Sequence, residues 1–285
     1  HVISVNKGPL ALAFPSLLEL ADYETAQDIT EEIFNQNPNV KFPINLEHIA
    51  SQVGISDIQY LPLEGIEGAL IANDVKSEGI IAISENIIPT KRRFTLAHEL
   101  GHFLIPRHGH RMQCTVKDMA KRDAHNEYVD MEAEANLFAS LLLMPPKLIN
   151  ERQLISASSN IQNIVDLKST FDVSLQACAN NYINLHQDHL AVVYTYNRTI
   201  LYGLNCDSNP FWLVANKSSS VPADSQLAKI NLNSSEKFHS NEVRLSTWFS
   251  VKQESCIGKT ILEETFVQEN GYATTLLKVM DLKNT

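Results

Sequence analysis

Hydrophobic residues in the first part of the chain recur with helical spacing and then with the pattern of strands. Apolar positions three and four apart predict helices over residues 16–36 and 43–54, and Gly54 closes the second helix. The apolar runs at 68–73 and 79–84 are joined by a polar turn and predict two strands. This part of the chain therefore predicts a mixed fold of helices and a small β-sheet.

A more strongly periodic segment follows at residues 91–105, where apolar side chains recur about every 3.6 residues. The stripe consists of Phe94, Ala97, Leu100, Phe103 and Leu104. Pro106 ends this predicted helix, and the polar stretch 107–127 predicts an exposed loop. Residues 128–144 predict a second helix, which two prolines end. Gly101 is expected to let the first of these helices lie against a strand.

The second half of the chain changes from helical to strand-like patterning. Helical spacing continues from 147 to 185, whereas the run "LAVVYTYNRTILYGL" after residue 189 and the C-terminal "YATTLLKVMDL" alternate as strands do. We therefore predict an α+β protein with three parts. These are a domain over residues 1–150, a helical connector over 151–186 and an α/β or mainly β domain over 187–285.

Composition and charge narrow the classes of function. The net charge of −10 argues against a protein that coats phosphate backbones, so direct DNA binding is not expected. The four cysteines are scattered, which predicts neither a disulfide framework nor a cysteine-based zinc site and fits a reducing compartment. No apolar run approaches the ~18–20 residues of a membrane span, and the start of the sequence lacks the pattern of a signal peptide. We therefore expect a cytoplasmic protein.

The segment "HELGH" at residues 98–102 carries the candidate chemistry. Residues four apart on a helix lie one turn apart on nearly the same face, so His98 and His102 can present two imidazoles to one metal ion. Glu99 lies about 100° round the helix, where its carboxylate can take a proton from a water at the metal. This carboxylate can later pass the proton to a leaving amine. The pattern indicates a metallohydrolase with Glu99 as the catalytic base.

The residue that completes the metal shell has three candidates. His108 has the spacing of a third histidine ligand, but that arrangement needs a glycine for a sharp turn, and Ile105 and Pro106 stand there instead. Glu132 on the second helix is favoured, with Glu134 next. Expectations for neighbouring residues follow from the same spacing. Asn136, one turn after Glu132, is expected to support a ligating imidazole, and Asp130 and Glu134 are expected on a solvated face. His110 and His125 are expected to face solvent in the loop.

Two blocks of the sequence resemble one known family. "RRFTLAHELGHFLI" and "EAEANLFASLLLMP", with their lead-in, are similar to the ImmA/IrrE family of HExxH metallopeptidases over roughly residues 25–150. The family pattern E-x-x-A-N-x-F-A, read onto "EAEANLFA", implies that Glu132 is the third ligand. The resemblance thus implies a zincin-like metallopeptidase domain with Zn²⁺, although Mn²⁺ and Fe²⁺ also suit histidine and carboxylate ligands.

The resemblance also implies a partner and the nature of the remaining domains. Members of this family cleave or inactivate helix-turn-helix repressors and so release stress-response or mobile-element genes. Residues 164–185 are similar to the helix-turn-helix-like segment of longer members, and the C-terminal region resembles their GAF-like sensor domain. The alternative is a regulatory protein that binds and sequesters a repressor without cleaving it, with a structural metal.

Overall fold

The computed structural model of this protein describes residue 20 and the ranges 22–109, 111–115, 127–251, 256 and 258–280. For residues 111–115, 127 and 128 it describes the backbone but not the side chains. The described chain forms two compact units. The N-terminal unit extends to Pro145 and also includes Thr170–Val173, while Pro146–Ser169 and the residues from Ser174 onwards form the C-terminal unit.

In the part of the chain that the structure describes, the N-terminal unit carries several helices and one small sheet. The helices are α1 (Ala26–Gln36), α2 (Leu46–Val53), α3 (Pro89–Leu104) and α4 (Glu127–Leu143). The strands are β1 (Ile55–Leu61), β2 (Ile66–Ala72), β3 (Gly79–Ser84) and β4 (Arg111–Thr115). They form one sheet in the order β1-β3-β2-β4, in which β1 is parallel to β3 and β2 is antiparallel to both of its neighbours. The predicted mixture of helices and a small sheet is confirmed.

The turns between these elements use the residues that the sequence indicates. Asn45 caps α2 by accepting a hydrogen bond from the His48 N–H, and Gly54 ends this helix in the left-handed conformation at φ 104°. Pro89 occupies the first turn of α3, where a missing N–H costs no helical hydrogen bond. These local signals explain why the predicted helices 43–54 and 91–105 occur close to their expected positions.

The helices α3 and α4 pack closely through a glycine. A Cβ atom placed on Gly101 would lie 3.1 Å from the Phe138 ring, which is tighter than an ordinary contact. Gly101 therefore serves the contact between the two helices, and the expectation that it packs against a strand is wrong. The close contact between α3 and a strand occurs instead at Gly68 of β2, where a Cβ atom would overlap Thr95 of α3.

The segment after α3 differs from the predicted exposed loop at 107–127. Arg111–Thr115 form the strand β4, which pairs antiparallel with β2. The letters "RMQCT" alternate polar and apolar residues as a strand does, but this signal is only five residues long and lies in a stretch that is otherwise polar. The predicted loop residues His110 and His125 lie outside the described residues, as do residues 16–19 and 21 of the helix predicted over 16–36. Residues 22–25 are described but not helical, because the Thr25 side chain caps α1 and the helix begins at Ala26.

The C-terminal unit carries short helices and an antiparallel sheet. The helices of the part of the chain described are α5 (Pro146–Glu151), most of α6 (Ile161–Phe171), α7 (Leu175–Tyr182), α8 (Gln226–Lys229) and α9 (Leu245–Trp248). The main sheet contains β5 (Leu190–Tyr196), β6 (Thr199–Asn205), β8 (Phe238–Arg244), β10 (Thr260–Val267) and β11 (Tyr272–Val279). A two-residue pairing joins β7 (Trp212–Leu213) to β9 (Phe249–Ser250).

The five-stranded sheet has the order β6-β5-β11-β10-β8 and is antiparallel throughout. The hairpin from β5 to β6 turns at Asn197 and Arg198, whose φ angles of 46° and 62° suit a two-residue turn. The Tyr194 hydroxyl of β5 donates to Asn180 Oδ1 of α7 at 2.7 Å, which fastens the helix to the sheet. The α+β class is thus confirmed, while the GAF-like assignment and the three-domain division stay predictions.

A buried carboxylate organises the other side of this sheet. Glu263 of β10 is fully buried and accepts hydrogen bonds from Trp248 Nε1 at 2.9 Å, Leu227 N at 2.9 Å and Gln226 N at 3.1 Å. Burial raises the pKa of Glu263 above its ordinary value, and the three N–H donors offset only part of that effect. Glu263 therefore joins β10 to the segments that carry α8 and α9.

None of the helices in the described ranges combines the length with the hydropathy that crossing a membrane requires.

Replacing Glu263 is expected to weaken the C-terminal unit in a pH-dependent way. In Glu263→Ala three buried donors lose their acceptor, which should lower the free energy of unfolding by about 2–4 kcal/mol. Because the folded-state pKa lies above 4.5, the contribution of the carboxyl is complete below the unfolded-state pKa and falls as the pH rises through the folded-state value. The loss should therefore be larger at pH 5 than at pH 7.

Urea unfolding followed by Trp248 fluorescence in a Trp212→Phe background measures this difference, since the chain has two tryptophans. Glu242→Ala, which removes an exposed carboxylate from the neighbouring strand β8, is the matched control. A loss that is equal at both pH values, or larger at pH 7, would contradict the assignment.

Candidate metal centre

One helix supplies the two histidines of the site. Every residue of α3 from position 95 to 104 is buried, and His98 and His102 have no exposed surface. Their Nε2 atoms lie 3.0 Å apart. The one-turn spacing therefore brings both imidazoles to one point, as the sequence predicts.

Glu132 reaches the same point from α4. Its Oε2 lies 3.3 Å from His98 Nε2, and its Oε1 lies 3.3 Å from His102 Nε2. The three residues form a group whose ligand atoms all lie within 4.8 Å of one another. Donors that bind a tetrahedral Zn²⁺ at about 2.0–2.1 Å are separated by roughly 3.3–3.4 Å. The two histidine–carboxylate separations equal such an edge, each through a different oxygen of Glu132, and the 3.0 Å between the imidazole nitrogens is slightly shorter. The donor set fits a divalent cation.

Asn136 contacts the far side of the His98 ring. Its Oδ1 lies 3.1 Å from His98 Nδ1. An amide oxygen only accepts hydrogen bonds, so Nδ1 carries the proton and donates it, and the Nε2 lone pair faces Glu132 and His102. Asn136 therefore lies where the sequence predicts, one turn after Glu132 and behind an imidazole of the group.

His108 lies behind His102 and outside the group of three. Its Nδ1 is 2.9 Å from His102 Nδ1, the nitrogen on the opposite side of the ring from Glu132. The expectation that the chain does not turn at Ile105 and Pro106 is wrong, because the His108 N–H donates to the Ile105 carbonyl at 3.2 Å. Proline suits this kind of turn, since its φ is already set. The turn returns His108 to the helix, but at a position that does not reach the metal site.

Glu134, the second candidate for the carboxylate ligand, binds other partners. Its Oε2 accepts hydrogen bonds from Arg107 Nε at 2.8 Å, Arg107 Nη2 at 2.5 Å and His108 Nε2 at 3.0 Å. The Glu134 side chain is only 10% exposed, whereas Asp130, one turn earlier, is exposed. The expectation of a solvated face therefore holds for Asp130 and is wrong for Glu134.

Glu99 lies between α3 and β2. Its side chain is fully buried, and a Cβ atom on Gly68 would overlap Glu99 Oε1. Only a glycine in β2 leaves space for the carboxylate at this place. The strand thus confines the side chain that the sequence predicts as the catalytic base, directly beside the ligand candidate His98.

Burial and neighbouring charges determine the protonation of these groups. Burial alone would raise the pKa of Glu132, but the proximity of His102 and His98 outweighs it and holds this pKa below its usual range. Burial lowers the pKa of His102, and the hydrogen bond with Glu132 opposes only part of the effect. Burial likewise lowers the pKa of His108 to about 4. Near pH 7 Glu132 is thus a carboxylate and the imidazole of His102 is neutral, which are the states that bind metal.

Lys76 holds the end of α3 and was not singled out from the sequence. Its Nζ donates to the carbonyls of His102, Ile105 and His108 at 2.7, 2.6 and 3.2 Å. A cation at the C-terminus of a helix satisfies the last carbonyls and interacts favourably with the helix dipole. Burial lowers the pKa of this ammonium to about 8. In the sequence Lys76 is only a polar residue in a turn between strands, so no pattern signals this contact.

Two helices that hold a buried pair of histidines and a carboxylate, with a second carboxylate next to the first histidine, have the donor set of a metallopeptidase. Residues 50–181 match the family model Peptidase_M78, described as the IrrE N-terminal-like domain. The resemblance seen in the sequence is thereby confirmed for residues 50–181. The match extends to α7, beyond the limit near residue 150 that the sequence indicates.

A solved structure described as a Mycobacterium tuberculosis transcriptional regulator is similar in fold. The comparison has a TM-score of 0.51 and covers 89% of this chain and 76% of that chain. The sequences are 14% identical, so this likeness concerns the fold alone. No curated protein matches the sequence.

The substitution Gly68→Ala is expected to displace Glu99 while the metal-binding group stays in place. The new methyl group would overlap the carboxylate and Thr95, and a misplacement of about 1 Å in a catalytic group can cost roughly 100-fold in rate. We therefore expect hydrolysis to fall by about 10–100-fold, with the affinity for Zn²⁺ unchanged. Peptide turnover and zinc titration of the same preparations measure the two effects.

Ala69→Ser is the matched control, because successive side chains of a strand point to opposite faces of the sheet. Equal turnover in Gly68→Ala and Ala69→Ser would show that β2 does not confine Glu99.

Proposed function

We propose that this protein is a metal-dependent endopeptidase that cleaves or inactivates a helix-turn-helix transcriptional repressor, and so derepresses stress-response or mobile-element genes. The observation that carries the hydrolase assignment is the burial of Glu99, which follows the ligand candidate His98 on α3 and whose carboxylate approaches Gly68 of β2. A site that only held a structural metal would not need a second buried carboxylate there.

The residues of this site have different roles in peptide hydrolysis. His98, His102 and Glu132 would hold the metal, and they bring a single negative charge to it. A divalent cation bound there supplies Lewis-acid chemistry, which polarises a peptide carbonyl and makes a water more acidic. Glu99 accepts the proton of the attacking water on its carboxylate and returns it to the nitrogen of the leaving amine. The buried position of Glu99 keeps bulk water from competing for that proton.

We propose Zn²⁺ as the metal. Two imidazoles and one carboxylate are a frequent shell for catalytic zinc, which keeps the fourth position for water and substrate. Mn²⁺ and Fe²⁺ accept the same ligands, so metal analysis of the protein as purified from its own cells distinguishes them.

The repressor as substrate rests on the family and on the charge of the chain. Family members act on helix-turn-helix repressors, and the solved structure that is similar in fold is described as a transcriptional regulator. The net charge of −10 disfavours direct DNA binding, so we propose a protein partner rather than DNA. The scattered cysteines support a cytoplasmic location, where such repressors act.

The C-terminal unit has a proposed sensor role. An antiparallel five-stranded sheet with the helix α7 against one face suits a GAF-like domain, and in longer family members a domain of this kind follows the peptidase. We propose that its signal regulates the action on the repressor.

The alternative is a protein that sequesters the repressor without cleaving it. A substitution of Glu99 distinguishes this hypothesis from the peptidase hypothesis. Glu99→Gln keeps the size of the side chain but removes the base, so we expect cleavage to fall by at least about 100-fold while zinc and repressor still bind. The measurement is gel electrophoresis and mass spectrometry of the helix-turn-helix repressor encoded beside this protein. The second measurement is the derepression of a reporter gene in cells. Derepression that survives Glu99→Gln would contradict the peptidase and favour sequestration.

Removing Glu132 tests the metal group itself. In Glu132→Ala the site loses its one carboxylate ligand, and we expect zinc affinity to fall by on the order of 100-fold or more, since even groups behind ligands contribute 10–100-fold. Elemental analysis after dialysis against a weak chelator measures the zinc content. Asp130→Ala, an exposed carboxylate on the same helix, is the matched control. Full zinc content in Glu132→Ala would exclude this residue as a ligand.

A further inference from the structure

We infer that His108, together with Glu134 and Arg107, is the positioning group of the metal ligand His102, so that these three residues determine which ring nitrogen of His102 faces the metal. This inference rests on the proposed metal-dependent function. It assigns a role to three residues that neither bind the metal nor touch the substrate in the chemistry described above.

Arg107, Glu134, His108 and His102 are linked by hydrogen bonds. The direction of each bond follows from which of these groups can only donate and which can only accept. The Arg107 guanidinium can only donate, and it donates twice to Glu134 Oε2. An ionised carboxylate can only accept, so His108 Nε2 donates to Glu134 at 3.0 Å. A neutral imidazole that donates from Nε2 has its lone pair on Nδ1. His108 Nδ1 therefore accepts from His102 Nδ1–H at 2.9 Å.

The consequence for His102 is a fixed tautomer and a fixed ring direction. With its proton held on Nδ1, the ring presents the lone pair of Nε2 toward Glu132 and His98. His98 reaches the same state through Asn136. The two histidines of the site are thus oriented by different groups, one by an amide of α4 and the other by an imidazole that is itself held by a carboxylate of α4.

The backbone around His108 is built to hold this ring in place. The turn after α3 is closed by the hydrogen bond from His108 N–H to Ile105, and Lys76 binds the carbonyls of both residues. His108 is only 3% exposed, so its ring is confined between α3 and Glu134. A buried histidine that merely filled space would not require the approach of two Nδ1 atoms to 2.9 Å.

The hydrogen-bond chain should also make His102 a better ligand. A ligating imidazole that donates its other N–H gains basicity at the metal-binding nitrogen, and removal of such a partner typically costs 10–100-fold in metal affinity. Arg107 is 62% exposed and balances the charge of Glu134 at the surface end of the chain. The contribution of Glu134 should therefore be smaller than that of His108, which contacts the ligand directly.

The test uses the full-length protein and zinc alone as the probe. The variants are His108→Leu, which removes the acceptor, and His108→Asn, whose side-chain oxygen can replace Nδ1. Glu134→Ala removes the next residue of the chain, and Asp130→Ala is the matched control on α4. Competition with a chromophoric chelator measures the zinc Kd, the visible spectrum of the cobalt-loaded protein reports ligand geometry, and thermal unfolding of the metal-free protein reports the fold.

We expect His108→Leu to raise the zinc Kd by about 10–100-fold and to change the cobalt spectrum. His108→Asn should recover part of the affinity, Glu134→Ala should weaken binding by less than His108→Leu does, and Asp130→Ala should match the wild type. A lower unfolding temperature of the metal-free protein with wild-type zinc Kd and cobalt spectrum would show a structural role only and overturn the inference.

If His108→Leu does not fold, the other two variants carry the test. The inference is then overturned if both His108→Asn and Glu134→Ala bind zinc with the Kd of the wild type. Failure of the proposed function looks different, because the wild type itself then binds no zinc or binds zinc without cleaving the repressor.

Discussion

The contact between α3 and α4 at Gly101 and Phe138 is the constraint on which the site depends. A side chain at Gly101 would push the two helices apart, and with them the donors that they carry. His98 and His102 lie on α3, while Glu132 stands on α4, so their mutual distances of 3.0–3.3 Å are set by this packing rather than by either helix. The same packing brings two residues of α4 behind the histidine rings: Asn136 contacts His98, and Glu134 contacts His108, which in turn contacts His102.

Because the donor atoms are buried, this packing also affects the stability of the N-terminal unit. Two imidazole lone pairs and a carboxylate meet in a region without exposed surface, and such a set of like partial charges is costly in a medium of low dielectric unless a cation lies between them. Binding of a metal should therefore stabilise the N-terminal unit as well as enable chemistry. Lys76 adds to this coupling, because one ammonium holds the end of the ligand helix and the turn that returns His108 to it.

The two units use buried carboxylates in opposite ways. Glu263 of the C-terminal unit accepts hydrogen bonds from three N–H donors, so its carboxyl oxygens have partners inside the fold and the residue acts as a structural anchor. Glu132 of the N-terminal unit instead faces the acceptor nitrogens of His98 and His102, which a cation can join to it. The nature of the neighbouring atoms, not burial itself, thus distinguishes a ligand carboxylate from a structural one.

The sequence by itself determined the helices of the N-terminal unit, the strands β2 and β3, and the residues that share one helical turn, but it did not indicate β1 or β4. His98, Glu99 and His102 were predictable because a helix fixes their relation locally. Glu132 needed the family pattern as well, since spacing along a second helix left Glu134 open. Only the tertiary structure decided the roles of Gly68, Lys76, His108 and Glu134. Each of these meets a partner far along the chain, and such contacts depend on how helices and strands pack, for which local periodicity carries no information.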